Sequence, residues 1–235
     1  MTIAIMQPYF LPYIGYLQLM KAVDKFILYD DVAYINRGWI NRNRLLLNGK
    51  DHLFTIPLKD ASQNKRIRDV ELSDDPKWRS KLLKTIEQAY RKAPFYTTVY
   101  PLLEKIVNLE VRTIAELVGG SLSLLNAYLG IQTEMVPSST VYGNDELKAQ
   151  DRILDICLRE NASRYINPIG GQELYDRQRF AEEGIDLFFI QSKRVAYPQF
   201  KNEFVPWLSI ADVLMFNDVP AVQTMLDAYE LIVNE

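Results

Sequence analysis

"TIAIMQPYFLPYIGYLQLMKAVDKFILYDD", residues 2–31, is the stretch whose reading decides the fold. "TIAIM" is a short β-branched run and reads as a strand. "GYLQLMKAVDK" carries Leu17, Met20 and Val23 at helical spacing, and Pro12 sits just upstream, where the start of a helix tolerates it. "KFILYDD" is a second buried strand ending in two acids. Strand, helix, strand in so short a stretch predicts two neighbouring parallel strands. Between the first strand and the helix lies "QPYFLPYIGY", in which Pro8 and Pro12 stiffen a loop carrying Tyr9, Tyr13 and Tyr16.

Working outward, "LFTIPL" reads as a third strand. From "DDPKW" the pattern turns helical: Asp75 caps ahead of Pro76, and the helix runs to about Lys92. A further helical stretch covers Tyr96 to Leu129, broken near Gly119 and Gly120. The last third alternates. "QTEMVPSS", "RYINP" and "IDLFFIQ" are strands, separated by helices in "ELKAQDRILDICLREN" and "LYDRQRFAEEG". Two helices close the chain after Pro206 and Pro220. This alternation predicts an α/β fold with a parallel sheet covered on both faces. Residues 1–235 read as one domain, with the mostly helical 60–130 as an insertion or subdomain.

Charged residues make up 24% of 235 residues, and a net charge of −3 gives no electrostatic reason to expect a nucleic-acid partner. Cys157 is alone, so there is no disulfide framework and no cysteine-based zinc site. Its place on the apolar face of a helix predicts a packed thiol. The most apolar run, "IAELVGGSLSLLNAYLGI", is interrupted by Glu116 and Asn126 and reads as a buried helix, not a membrane span. With no basic start ahead of an apolar segment, the expectation is a soluble, cytoplasmic protein.

In open α/β sheets the ligand crevice lies beyond the carboxyl ends of the strands. "QPYFLPYIGY" is therefore either a phosphate-receiving loop at a helix start or a packed aromatic corner. In the first reading Gln7, Tyr9, Tyr13 and Tyr16 face a ligand, and Gly15 leaves room for an anion. "YDDVAYINRGWINRNR" gathers Asp30, Asp31, Arg37, Trp39, Asn41, Arg42, Asn43 and Arg44. Paired acids suit Mg²⁺, sugar hydroxyls or general-base work, and arginine forks suit phosphate. Trp39 suits stacking on a ring. Gln7, Tyr9 and Tyr16 are expected to share one crevice with Asp31, Arg42 and Asn43. Later strand ends add Ser138 and Ser139, then Asn167, Gly170 and Gly171, then Lys193, Tyr197 and Gln199. His52, next to Asp51, is a candidate base, although a lone histidine is more often a surface or packing residue.

"QPYFLPYIGYLQLMKAVDKFILYDDVAYINRGWINRNRLL" resembles the opening signature of the WbqC-like family. "RYINPIGGQELYD", "FAEEGIDLFFIQ", "YPQF" and "LSIADVLMFN" resemble that family's later blocks, in order. The resemblance implies a role in bacterial surface-polysaccharide and O-antigen loci. The implied reaction is transfer of a glycyl or similar acyl unit to an amino sugar. Its substrate would be a phosphorylated or nucleotide-linked sugar, and its donor an acyl carrier protein thioester or an aminoacyl adenylate. More distantly, the strand, "PYIGY" and helix are similar to the opening of nucleotidylyltransferases of the HIGH superfamily, which implies a Rossmann-like sheet. Tyr13 and Tyr16 stand where that superfamily has its histidines, which counts against nucleotidyl transfer. Mg²⁺ would be the cofactor only if the reaction is phosphate chemistry.

Overall fold

The computed structural model describes residues 1–201 and 203–233. Its first three elements follow the opening stretch: β1 (Thr2–Met6), α1 (Ile14–Lys21) and β2 (Lys25–Leu28). Next come β3 (Arg42–Leu47) and β4 (Lys50–Thr55), paired antiparallel. Asn48 and Gly49 between them both take positive φ, 53° and 73°, as a two-residue hairpin turn of matching twist requires. The expected strand 53–58 is thus split. Pro57 interrupts it, and β5 (Leu58–Lys59) pairs instead with β6 (Glu71–Leu72).

Three helices follow, α2 (Lys77–Tyr90), α3 (Tyr96–Val107) and α4 (Ile114–Leu129). The break falls before Thr113 and not at Gly119–Gly120. Thr113 and Glu116 form a reciprocal capping box that starts α4, which then runs straight through both glycines. The remaining elements are β7 (Glu134–Val136), α5 (Ala149–Arg159), β8 (Arg164–Pro168), α6 (Arg177–Glu182), β9 (Asp186–Ser192), α7 (Ile210–Phe216), α8 (Val219–Leu226) and β10 (Tyr229–Ile232). β10 was not expected from the sequence.

The main sheet has the order β10-β9-β8-β1-β2-β7, parallel except for β10, which runs antiparallel to β9. The chain builds outward from β1 to β7, then returns to place β8 on the other side of β1. The order therefore reverses between β1 and β8, and that is where such sheets open a ligand crevice. Alternation along the strands sorts two cores. Ala4, Phe26 and Leu28 pack with α1, α4, α7 and α8, while Ile3, Ile5 and Ile27 pack with α5 and α6. Cys157 lies in the second core, and burial pushes its thiol up to about 12, as expected of a packed residue.

Candidate functional site

The first loop is braced from three directions. Phe10 N donates to Ile40 O at 3.0 Å, and Ile210 N donates to Pro12 O at 2.7 Å. Between them Leu11 is held at φ 43°, a conformation that a side chain disfavours. The Leu11 carbonyl accepts from Asn43 Nδ2 and, at 2.7 Å, from Ser209 Oγ. Asn43 and Ser209 are both fully buried. Asn43→Ala is expected to lower stability by about 1–3 kcal/mol in denaturant titration, because a buried carbonyl loses a donor in a strained turn.

Gly15 has a different reason from the expected one. A Cβ there would fall 2.3 Å from the Tyr13 ring and 2.6 Å from Ser192 Oγ, so the position is tight against protein and is not left open for an anion. Tyr16 is buried too, with its ring 5.3 Å from Phe26 and its hydroxyl donating to Gln7 O at 3.0 Å.

Tyr9 and Tyr13 are the loop's half-buried rings. They continue at both ends into exposed tryptophans. Ring centroids run Trp39 to Tyr9 at 6.2 Å, Tyr9 to Tyr13 at 6.4 Å and Tyr13 to Trp207 at 6.0 Å. Trp39 is 42% exposed and Trp207 66%. The guanidinium groups of Arg42 and Arg44 each lie 5.3 Å from the Trp39 ring. At the other end, Tyr13 and Trp207 line a narrow cleft with Ser192, Lys193, Arg194 and Tyr197. Burial raises the pKa of both Tyr9 and Tyr13, so their hydroxyls stay neutral donors. Arg37 is exposed at φ 60°.

The two acids after β2 share Ser139 but otherwise take different partners. Asp31 points toward α5, where Arg152 Nη2 pairs with its Oδ2 and Ser139 Oγ donates to its Oδ1. Both members of that ion pair are buried. Arg152 is held further by Asn144 Oδ1 at 3.0 Å and lies 4.9 Å from the Tyr29 ring. Asp30 points toward α4. Its Oδ1 accepts from Ser138 Oγ at 2.8 Å and from Ser139 N at 3.2 Å. Burial raises its carboxyl above the usual range, opposed by those two bonds.

Asp30, Ser138 and Arg68 open onto a cleft of about 640 Å³ floored by Ala115, Gly119 and Gly120 of α4. Neither Tyr9, Tyr16 nor Arg42 lines it, so the expected common crevice does not form. Asp31 and Asn43 are committed to buried partners. His52 lies exposed within β4 and lines a separate cleft with Trp78 and Thr85. His52 therefore does not join Asp30 and Asp31, both of which accept from Ser139 Oγ.

Other predicted site residues are structural in their contacts. Asn41 donates to Ile56 O at 2.8 Å and accepts from the Tyr34 hydroxyl at 3.0 Å. Asn167 donates to the Tyr165 hydroxyl at 2.8 Å, and a Cβ on Gly171 would strike its amide at 2.2 Å. Gly170 is exposed, with nothing within 4 Å of a built Cβ. Tyr197 and Gln199 both donate to buried Asp212 at 2.7 Å. Sequence reasoning passed over Arg68, Arg152, Trp207 and Asp212. A charge on the apolar side of "AQDRILDI" was the available signal for Arg152. Nothing local marked Arg68.

Among the described residues, no helix is long and apolar enough to cross a membrane. No group of three or more His, Cys, Asp or Glu is placed there to hold a metal ion. Fold and site together define an α/β protein that presents an aromatic, cation-flanked row and a separate acidic cleft at the carboxyl ends of its strands. The chain belongs to the WbqC-like protein family, whose model matches residues 7–224. It is 30% identical over 220 residues to the uncharacterized protein Rv1507c of Mycobacterium tuberculosis (strain ATCC 25618 / H37Rv), covering 92% of this chain and 93% of that one. No solved structure matches the chain significantly.

Proposed function

We propose that this protein is a cytoplasmic enzyme of bacterial surface-polysaccharide assembly. It binds an amino sugar carried on a phosphate, nucleotide- or lipid-linked, and transfers an acyl or aminoacyl unit to the sugar amine. The amine nitrogen attacks the donor carbonyl carbon, an amide forms, and the thiol or adenylate leaves. With a thioester donor, the amine's proton ends on the released thiol. The polysaccharide setting is what the resemblance to the family implies. The substrate class rests on one observation, the row Trp39, Tyr9, Tyr13 and Trp207 with Arg42 and Arg44 at one end and Lys193 and Arg194 at the other. Flat faces suit sugar rings, and guanidinium forks suit phosphate. We also read the sheet as Rossmann-like, on its strand order.

Nucleotidyl transfer is not proposed, since Tyr16 is buried on Phe26 and neither loop tyrosine supplies a cation. A non-catalytic glycan-binding module is the second reading, favoured by the commitment of Asp31 to Arg152 and by the place of His52 in a separate cleft. Calorimetric titration with UDP-, GDP- and dTDP-linked amino sugars, and with an isoprenyl-phosphate-linked one, tests the first. Saturable binding is expected with one of them. Trp39→Ala should weaken it about tenfold, roughly 1.4 kcal/mol, and Trp39→Phe should recover part of the loss. Silence across the whole panel would sink the proposal, and binding without amide formation from any thioester or adenylate donor would favour the module.

A further inference from the structure

We propose that the Asp30 cleft receives the ribonucleoside end of a nucleotide, with a ribose hydroxyl donating to the Asp30 carboxylate. This rests on the function proposed above and narrows its carrier to a nucleotide. The cleft, about 640 Å³, falls within the range of small-molecule sites. Its acid is only 4% exposed, yet no cation pairs with it. Oδ1 is taken by Ser138 and Ser139, while Oδ2 is bonded by no other residue among those described. Asp30 stands at the wall of the cleft, and a ligand hydroxyl can donate to its carboxylate there without bringing a second charge.

Position agrees with chemistry. Asp30 follows the second strand of a parallel sheet, one strand over from the β1–α1 loop. In dinucleotide-binding sheets an acid at that strand end accepts from a ribose hydroxyl. Ala115, Gly119, Met135 and Pro137 give part of the wall an apolar face, which suits a base, while Thr113, Glu116 and Ser123 offer polar contacts and Arg68 stands among the lining residues as an exposed cation.

Gly119 is the second, independent sign. A glycine inside a helix costs about 1 kcal/mol relative to alanine. Gly120 has a packing reason, since its Cβ would come 2.8 Å from Leu109. Gly119 has none: a Cβ there meets only Leu28 Cδ1, at an ordinary 3.5 Å. Its bare surface is part of the cleft lining.

The test titrates the full chain with UDP, GDP and ADP, each beside its 2′-deoxy and 3′-deoxy counterparts. One ribonucleotide should bind, with one deoxy form about tenfold weaker. Asp30→Asn, which leaves an acceptor for Ser138 and Ser139, should erase that difference. Gly119→Phe should block the nucleotide, while Gly119→Ala keeps the fold and raises its melting temperature. Equal affinity for ribo and deoxy forms, measured on the unaltered protein, overturns the inference, as does a ribose preference that survives Asp30→Asn. If no nucleotide binds but an isoprenyl-phosphate-linked amino sugar does, this inference falls and the proposed function stands. If neither binds, both fall.

Discussion

Arg152→Met is expected to destabilise the protein by about 3–5 kcal/mol, because it leaves the Asp31 carboxylate buried without its partner. For a chain of this size that corresponds to a fall in melting temperature of about 6–20 °C. Both side chains of the pair are nearly inaccessible, at 4% and 3% exposed, so solvent cannot substitute for the lost guanidinium. The loss spreads, since Arg152 also bonds Asn144, which in turn bonds Asp155 at 2.6 Å. The double variant Asp31→Leu, Arg152→Met should recover much of the loss, because removing both charges removes the desolvation problem. A single variant that melts within 2 °C of the parent would mean that the pair is not buried in solution.

Asp212→Ala should cost about 3 kcal/mol, from the buried hydroxyls of Tyr90 and Tyr197 left without their acceptor. Asp212 is fully buried and accepts from Tyr90 at 2.8 Å and Tyr197 at 2.7 Å. Tyr90 in turn accepts from Leu46 N at 2.8 Å, so the acid ties β3, α2 and the loop after β9 together. Burial raises the Asp212 carboxyl, opposed by the bonds from Tyr197, Tyr90 and Gln199. A folded value above the unfolded one means that the folded state holds the proton more tightly. The group's contribution is therefore most favourable below the unfolded value, about 3.9, and is lost as pH rises through the folded value. Stability of Asp212→Asn minus that of the parent should rise with pH across that window. A flat or falling difference in acid-to-neutral melts would contradict the raised value.

The parallel sheet was legible because β1, β2, β8 and β9 carry dense β-branched or aromatic runs between helices of clear periodicity. The β3–β4 hairpin was legible too but was passed over, although Asn48–Gly49 is a strong turn signal. The helix break was misplaced because Gly-Gly competes with a capping box, and the reciprocal bonds of Thr113 and Glu116 outweigh a propensity penalty. In the site, residue type was readable and direction was not. Asp30 and Asp31 look alike in sequence, and only the path of the chain after β2 sends one to a cleft and the other to Arg152. Trp207 and Ser209 meet the first loop across nearly the whole chain, a contact that no local pattern announces.

That last contact has a consequence for how the protein is made. Ser209 Oγ and Leu11 O are 198 positions apart. At ribosomal speeds of roughly 5–20 residues per second, residue 209 emerges roughly 10–40 s after residue 11. Until then the strained turn has no clasp, and the tyrosines it orients have no fixed direction. A turn synthesised well before its clasp thus waits for it, and a ribosome-bound fragment that stops short of α7 would carry a sheet in progress but no finished row of rings.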